Sequence, residues 1–317
     1  MTTSANVPAS APYLNVCQNI AIIGLHFVTI SIMSHLVYCL HFKKHSLKVY
    51  SLSNCLQVYL IQHIICATID IPYVVYLVAN WKPMDAVYDP YILYWIGLGD
   101  IIYFHLSSAS VVMLSLDRLL YAKFPLHYAN LIRPCMPYIM ILAMLSYALI
   151  AVFLHLIELP LDLEKVEHCQ LFSCLYMKYR AIPQLYMRSA MGAVNVILGT
   201  YLLHLLRKCD VAKNIKNRLV IVTMLLDVAL NVLPSVFASV FAKITGIASS
   251  NYFGQLTALL TVLSVAICAI YYSAVLVKWR KITPTWPNNA VASAEHSDFN
   301  AFGFATDKVN GFSASKA

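Results

Sequence analysis

The sequence predicts an all-α membrane protein, a bundle of seven transmembrane helices, and three observations carry that prediction. Hydrophobic residues fill 60% of the 317 positions, and mean hydropathy is +0.70. Charged residues make up only 11%, against about 25% in a soluble domain. The apolar residues are gathered into runs, and a run of about 20 suffices to cross the hydrocarbon core.

Seven such runs occur in order, over residues 20–40, 52–78, 91–121, 138–157, 182–206, 219–242 and 252–277. The stretch before the first, residues 1–19, is polar and expected outside the membrane. Its opening, Met1 to Val16, lacks the basic and apolar regions of a cleavable signal, so the first helix is expected to act as its own insertion signal. Connections between runs are short, which leaves residues 20–277 as one helical domain without a soluble neighbour. No internal repeat suggests the inverted halves of a transporter. Residues 278–317 read as a disordered cytoplasmic tail rich in Ser, Ala, Asn and Gly, offering hydroxyls to kinases.

Lys and Arg set the orientation. Fourteen fall on one side of the predicted helices, including Lys43, Lys44, Arg118, Lys123, Arg133, the stretch from Arg207 to Arg218, and Lys281. Five fall on the other side, together with the acids Asp85, Asp89, Glu158, Asp162, Glu164 and Glu167. A multi-pass plasma-membrane protein is expected, with an extracellular amino terminus and a cytoplasmic carboxyl terminus. The net charge of +8 reflects this bias, and nucleic acid is not an expected partner. Three cysteines lie on or near the outer side, Cys17, Cys169 and Cys174. A disulfide is expected to include Cys169 or Cys174, in the pairing Cys169–Cys174 or from either to Cys17. Cys135 and Cys209, near inner helix ends, read as palmitoylation sites or as inert thiols.

Ionisable groups inside the runs are costly and therefore informative. Asp100 lies about 13 Å below the outer start of its helix and 18 residues before Arg118, close to five turns, so the two share a face. That face also carries Tyr103, Phe104, Ser107, Val111 and Ser115. Asp70 in the second run lies at a similar depth, and Arg188 in the outer third of the fifth. One reading is a polar ligand pocket among helices two, three and five, lined by Asp70, Asp100, Tyr103, Phe104, Ser107 and Arg188. The other is that Arg188 neutralises Asp100 or Asp70 and the pair only fixes helix packing. Asp227, four residues before Asn231, reads as a buried hydrogen-bonded acid or a switch partner. The histidines are scattered without metal-ligand spacing, so neither a metal nor a cofactor is expected. No His or carboxylate cluster at catalytic spacing supports an enzyme.

The third run closes on Asp117-Arg118, and Pro125, Leu126 and Tyr128 follow eight, nine and eleven positions after Asp117. This segment resembles the end of the third helix and the second cytoplasmic loop of rhodopsin-like G-protein-coupled receptors, which carry Asp-Arg-Tyr and then Pro, Leu and Tyr at those offsets. Elsewhere the pattern is eroded. Pro234 is kept, but Val232 stands where the family has Trp; Tyr272 is the remnant of Asn-Pro-x-x-Tyr; Ile64 replaces a buried Asp; and no third-helix Cys stands near Leu93. Erosion with the loop motif retained is most similar to nematode serpentine chemoreceptors.

The resemblance implies a receptor that converts binding of a small-molecule or peptide ligand into activation of a heterotrimeric G protein. Asp100 would be the counter-ion of an amine ligand. Arg118 would engage the G protein from the membrane edge, Asp117 would restrain it at rest, and Leu126 would pack on the G-protein surface. Pro125, Tyr128 and Tyr272 belong to the same switch. The absence of a Lys in the middle of the seventh run excludes an opsin-type Schiff base. The competing class is a seven-helix ligand-gated channel or transporter such as the insect odorant receptors. Those place the amino terminus inside, against the charge distribution here.

Overall fold

The computed structural model describes residues 11–42, 53–82, 88–157, 159–161, 175, 182–208, 215–245 and 253–282. Among these residues there is no β-strand, and seven helices are long and apolar enough to cross a membrane. They are α1 (Ala11–Phe42), α2 (Asn54–Ala79), α3 (Leu98–Lys123), α4 (Arg133–Leu156), α5 (Ile182–Lys208), α6 and α7 (Leu256–Ile282). The sixth, α6, runs as Ile215–Asp227, a π turn Val228–Val232 and Leu233–Thr245. The chain is thus an all-α, multi-pass membrane bundle.

The bundle is built around α3, which packs on α2, α4, α5 and the first part of α6. Its segment is the most enclosed of the seven, and that of α4 the least. Small hydroxyl residues make this possible. Ser110 donates to the Ser107 carbonyl at 2.7 Å and Ser115 to the Val111 carbonyl at 2.8 Å. Each polar atom is thereby satisfied within its own helix, and neighbouring helices can approach closely. At Gly99 the α3 and α2 backbones come close: a Cβ there would stand 2.7 Å from the Ile69 carbonyl oxygen of α2. Gly192 of α5 does the same for α6, since a Cβ would lie 2.9 Å from Val232 Cγ1.

Several boundaries differ from the sequence expectation. Helix α1 begins at Ala11, so part of the stretch expected to be a polar terminus is helical. Its polar side chains have work there. Gln18 donates to the Phe253 carbonyl at 3.0 Å and accepts from the Gln255 backbone N–H at 2.7 Å, closing α1 on the start of α7. At the other end α7 continues to Ile282, beyond residue 277. The third run is divided: a short helix Pro90–Ile96 precedes Gly97, and α3 starts after it. Asp89 initiates that short helix by accepting the Tyr91 and Ile92 N–H groups at 2.9 and 3.0 Å, with Pro90 in the first turn where its missing N–H costs nothing. Nearby, Tyr88 donates to the Leu77 carbonyl at 3.0 Å, and burial beside Tyr76 pushes its phenol pKa upward.

Two π turns share one local cause. Tyr128–Ile132 ends two residues before Pro134, and Val228–Val232 ends two residues before Pro234. A proline ring collides with the carbonyl four residues back and offers no N–H, which in a straight helix would fall on Asn130 and Leu230 respectively. A wider turn relieves the collision.

Candidate functional site

Asp117 and Arg118 close on each other at one end of α3. The carboxylate contacts the guanidinium at 2.8 Å and accepts from Ser53 Oγ at 3.0 Å. The Tyr128 hydroxyl donates to its other oxygen. Asp117, Arg118 and Tyr128 are all buried, and Cys55 lies under the pair. Three donors on one carboxylate, one of them cationic, satisfy a charge that could not stand alone in an apolar surround. Arg118 was expected to reach out from the membrane edge. It is instead 7% exposed, folded back on Asp117 with its Nε unpartnered. Pro125 opens the short helical turn Pro125–His127 that delivers Tyr128 to Asp117. Leu126 on that turn is 65% exposed.

A second polar centre occupies the core. The Asn231 side chain, on the π turn of α6, is its hub. Its amide nitrogen donates to Ser108 Oγ of α3 at 2.8 Å and to Asp227 at 3.0 Å. Its carbonyl oxygen accepts from Arg188 of α5 and, at 3.1 Å, from Thr261 of α7. Arg188 also reaches Thr261 at 3.3 Å and lies over the Phe104 ring, 4.6 Å from its centroid. Asn195 of α5 donates to Asp227. One asparagine therefore ties four helices together, and it stands between a cation and an anion, Arg188 and Asp227. The acid at 227 is buried and hydrogen-bonded, as its spacing to Asn231 suggested.

Of the two readings of these charges, the pairing of Arg188 with Asp70 or Asp100 is not present: no ion pair joins them. Asp70, fully buried, takes His26 of α1 as its partner at 2.8 Å. The Tyr103 ring meets His26 of α1 edge-on at 5.1 Å, His63 of α2 at 6.3 Å and Phe104 at 6.1 Å. Ser107 is buried. Asp100 makes no hydrogen bond or ion pair among the described residues. The residues grouped by sequence thus divide: Asp70 and Tyr103 meet His26 on the α1 side, while Phe104 packs against Arg188 on the α5 side. Tyr272 of α7 is buried, shares a hydrogen bond with Thr223 of α6 and packs edge-on against Tyr59. Cys17 is exposed with a free thiol, while Cys169 and Cys174 lie outside the described residues.

His26, Ser53, Ser108, Asn195, Thr223 and Thr261 were not singled out from sequence. Each is a common residue whose role depends on a partner 30 or more positions away, so spacing along the chain carries no signal for it. No protein-family model matches this chain, and no curated protein matches it in sequence.

Proposed function

We propose that this chain is a seven-transmembrane chemoreceptor that couples an extracellular ligand to a heterotrimeric G protein. The observation that carries the reading is the closed cluster of Asp117, Arg118, Tyr128 and Ser53, a guanidinium held back by its neighbouring carboxylate beside an exposed Leu126. Such a pair has two self-consistent arrangements. Either Arg118 stays on Asp117, or it turns outward once Asp117 is neutralised or drawn away. A ligand that binds the second arrangement better shifts the population towards it. The basic residues clustered at the Asp117 end suit anionic lipid and an acidic partner surface. The distribution of Lys and Arg supports an extracellular amino terminus in the plasma membrane.

The test is reconstitution with a G protein and measurement of nucleotide exchange. Arg118→Ala is expected to reduce exchange to the receptor-free background. Asp117→Asn, which removes the restraint, is expected to raise basal exchange several-fold. Undiminished exchange with Arg118→Ala sinks the reading.

A further inference from the structure

Ser53 stands at the N-cap of α2, where a serine side chain ordinarily accepts an N–H of the first helical turn. Here it makes no such bond, and no acidic residue stands in the first turn to take its place. The hydroxyl reaches across to α3 instead and donates to Asp117 Oδ2 at 3.0 Å. The same oxygen holds Arg118 Nη2 at 2.8 Å. The serine hydroxyl and the guanidinium therefore stand on either side of a single atom. Arg118 is 7% exposed, and its buried Nε has no partner.

Of the three donors on Asp117, Ser53 is the one that can be modified in place. Arg118 and Tyr128 are buried, whereas Ser53 is half-buried at the helix end and Asn54 beside it is exposed. A phosphoryl group on this hydroxyl would replace a donor with three acceptor oxygens and a charge of about −1.5 to −2. It would face Asp117 as a like charge. To Arg118 it would offer a stronger acceptor than the carboxylate, one that can also engage the idle Nε in a two-point contact. It would also rest on the N-terminus of a 26-residue helix that has no side-chain cap, where negative charge is favoured. All three effects move the guanidinium from Asp117 towards residue 53.

We propose that Ser53 is a phosphorylation site whose phosphate takes Arg118 from Asp117 and holds it inside the bundle. In the transfer, Ser53 Oγ forms a bond to the terminal phosphorus of ATP as the bond to ADP breaks. The hydroxyl proton passes to the base of the kinase. The inference rests on the receptor reading, which places this end of α3 in the cytoplasm, and gives that receptor a covalent off-state. Coupling needs Arg118 turned outward. A guanidinium held by a covalently fixed anion stays withdrawn even after Asp117 has been drawn away. Opening the latch also frees the serine hydroxyl from its acceptor, so the active arrangement is the one that offers Ser53 to the kinase.

The test uses the purified receptor in lipid nanodiscs, with phosphoserine installed at position 53 by an expanded genetic code. Three backgrounds are compared: unaltered, Asp117→Asn and Arg118→Ala. The first readout is the change in unfolding temperature that the phosphate causes. It is expected to be more favourable by about 3 °C or more in Asp117→Asn, where the competing anion is gone, and less favourable by as much in Arg118→Ala, where the cation is gone. Equal shifts in all backgrounds overturn the proposal. If Arg118→Ala is not recovered folded, the Asp117→Asn comparison decides. The second readout is basal nucleotide exchange. The phosphate should lower the raised exchange of Asp117→Asn by about threefold or more, and an unchanged or higher rate overturns the silencing. The third is peptide mapping by mass spectrometry of receptor from cells with phosphatases inhibited. Phosphate is expected on Ser53, at higher occupancy in Asp117→Asn, and an unmodified Ser53 in both proteins overturns the site. Should no variant of the chain drive nucleotide exchange, the coupling reading fails, while the unfolding comparison and the peptide map still decide the fate of Ser53.

Discussion

The two charged centres of this bundle solve the same problem in opposite ways. At the Asp117 end a carboxylate and a guanidinium adjacent in sequence close directly on each other, and Tyr128 and Ser53 complete the carboxylate's shell. In the core, Arg188 makes no ion pair among the described residues, its partners there are neutral, and the amide of Asn231 stands between it and Asp227. A direct pair is either made or broken. A pair bridged by an amide can be retuned by whatever else the amide contacts, here Ser108 and Thr261. The first arrangement suits a latch, the second a sensor.

The largest effect that could break this comparison is expected at the bridge. Asn231→Ala deprives Arg188 and Asp227 of a shared partner, and hydrogen bonds to charged groups contribute about 1.5–3 kcal/mol each. A loss on the order of 3–5 kcal/mol follows, read as a drop of about 10 °C in unfolding temperature. A change near zero would mean that Arg188 and Asp227 re-pair directly and that the bridge is dispensable. At the latch, Tyr128→Phe removes one donor from a carboxylate that keeps two others. Stability should fall by only about 1 kcal/mol, while basal nucleotide exchange rises less than with Asp117→Asn. Equal activation by both substitutions would show that Tyr128, not Asp117, holds the latch. The smallest effect is expected at Leu126. At 65% exposure, Leu126→Ala should alter stability by no more than about 0.5 kcal/mol, yet lower G-protein-dependent exchange. Unchanged exchange would remove Leu126 from the coupling surface.

The seven helices were legible because length and apolar content alone decide whether a segment spans a bilayer. Their ends were not. Asn15, Gln18 and Asn19 look like a polar lead-in, but Gln18 is helical because its amide completes the backbone at Phe253 and Gln255, more than 230 residues away. The contact of Asp117 with Arg118 was expected from the resemblance of that segment, whereas the Tyr128 bond to Asp117, made by a short turn within twelve residues, was not. The core network was not, because Arg188, Asn231 and Thr261 sit on three helices and nothing local distinguishes this asparagine from others. The partner of Asp70 was not legible for the same reason: His26 stands on α1, 44 residues away.

The paired π turns have an angular consequence. Successive residues of an α-helix are about 100° apart, so two consecutive steps of four carry a side chain about 80° away from its starting direction. Along α6 the enclosed positions Asp227, Asn231 and Ser235 advance by such steps, and in the α4 span Tyr128 and Met136 are eight residues apart. All are nonetheless buried in the bundle. Each π turn takes up the surplus rotation, acting as a phase corrector between two stretches of helix that would otherwise face different neighbours. It allows Tyr128 to meet Asp117 while Met136, Met140 and Met144 face inward, and Asn231 to meet Arg188 while Leu233 and Phe237 face outward. The prolines at 134 and 234 thus set the heading of everything downstream of them, and the orientation of half a helix depends on a single ring.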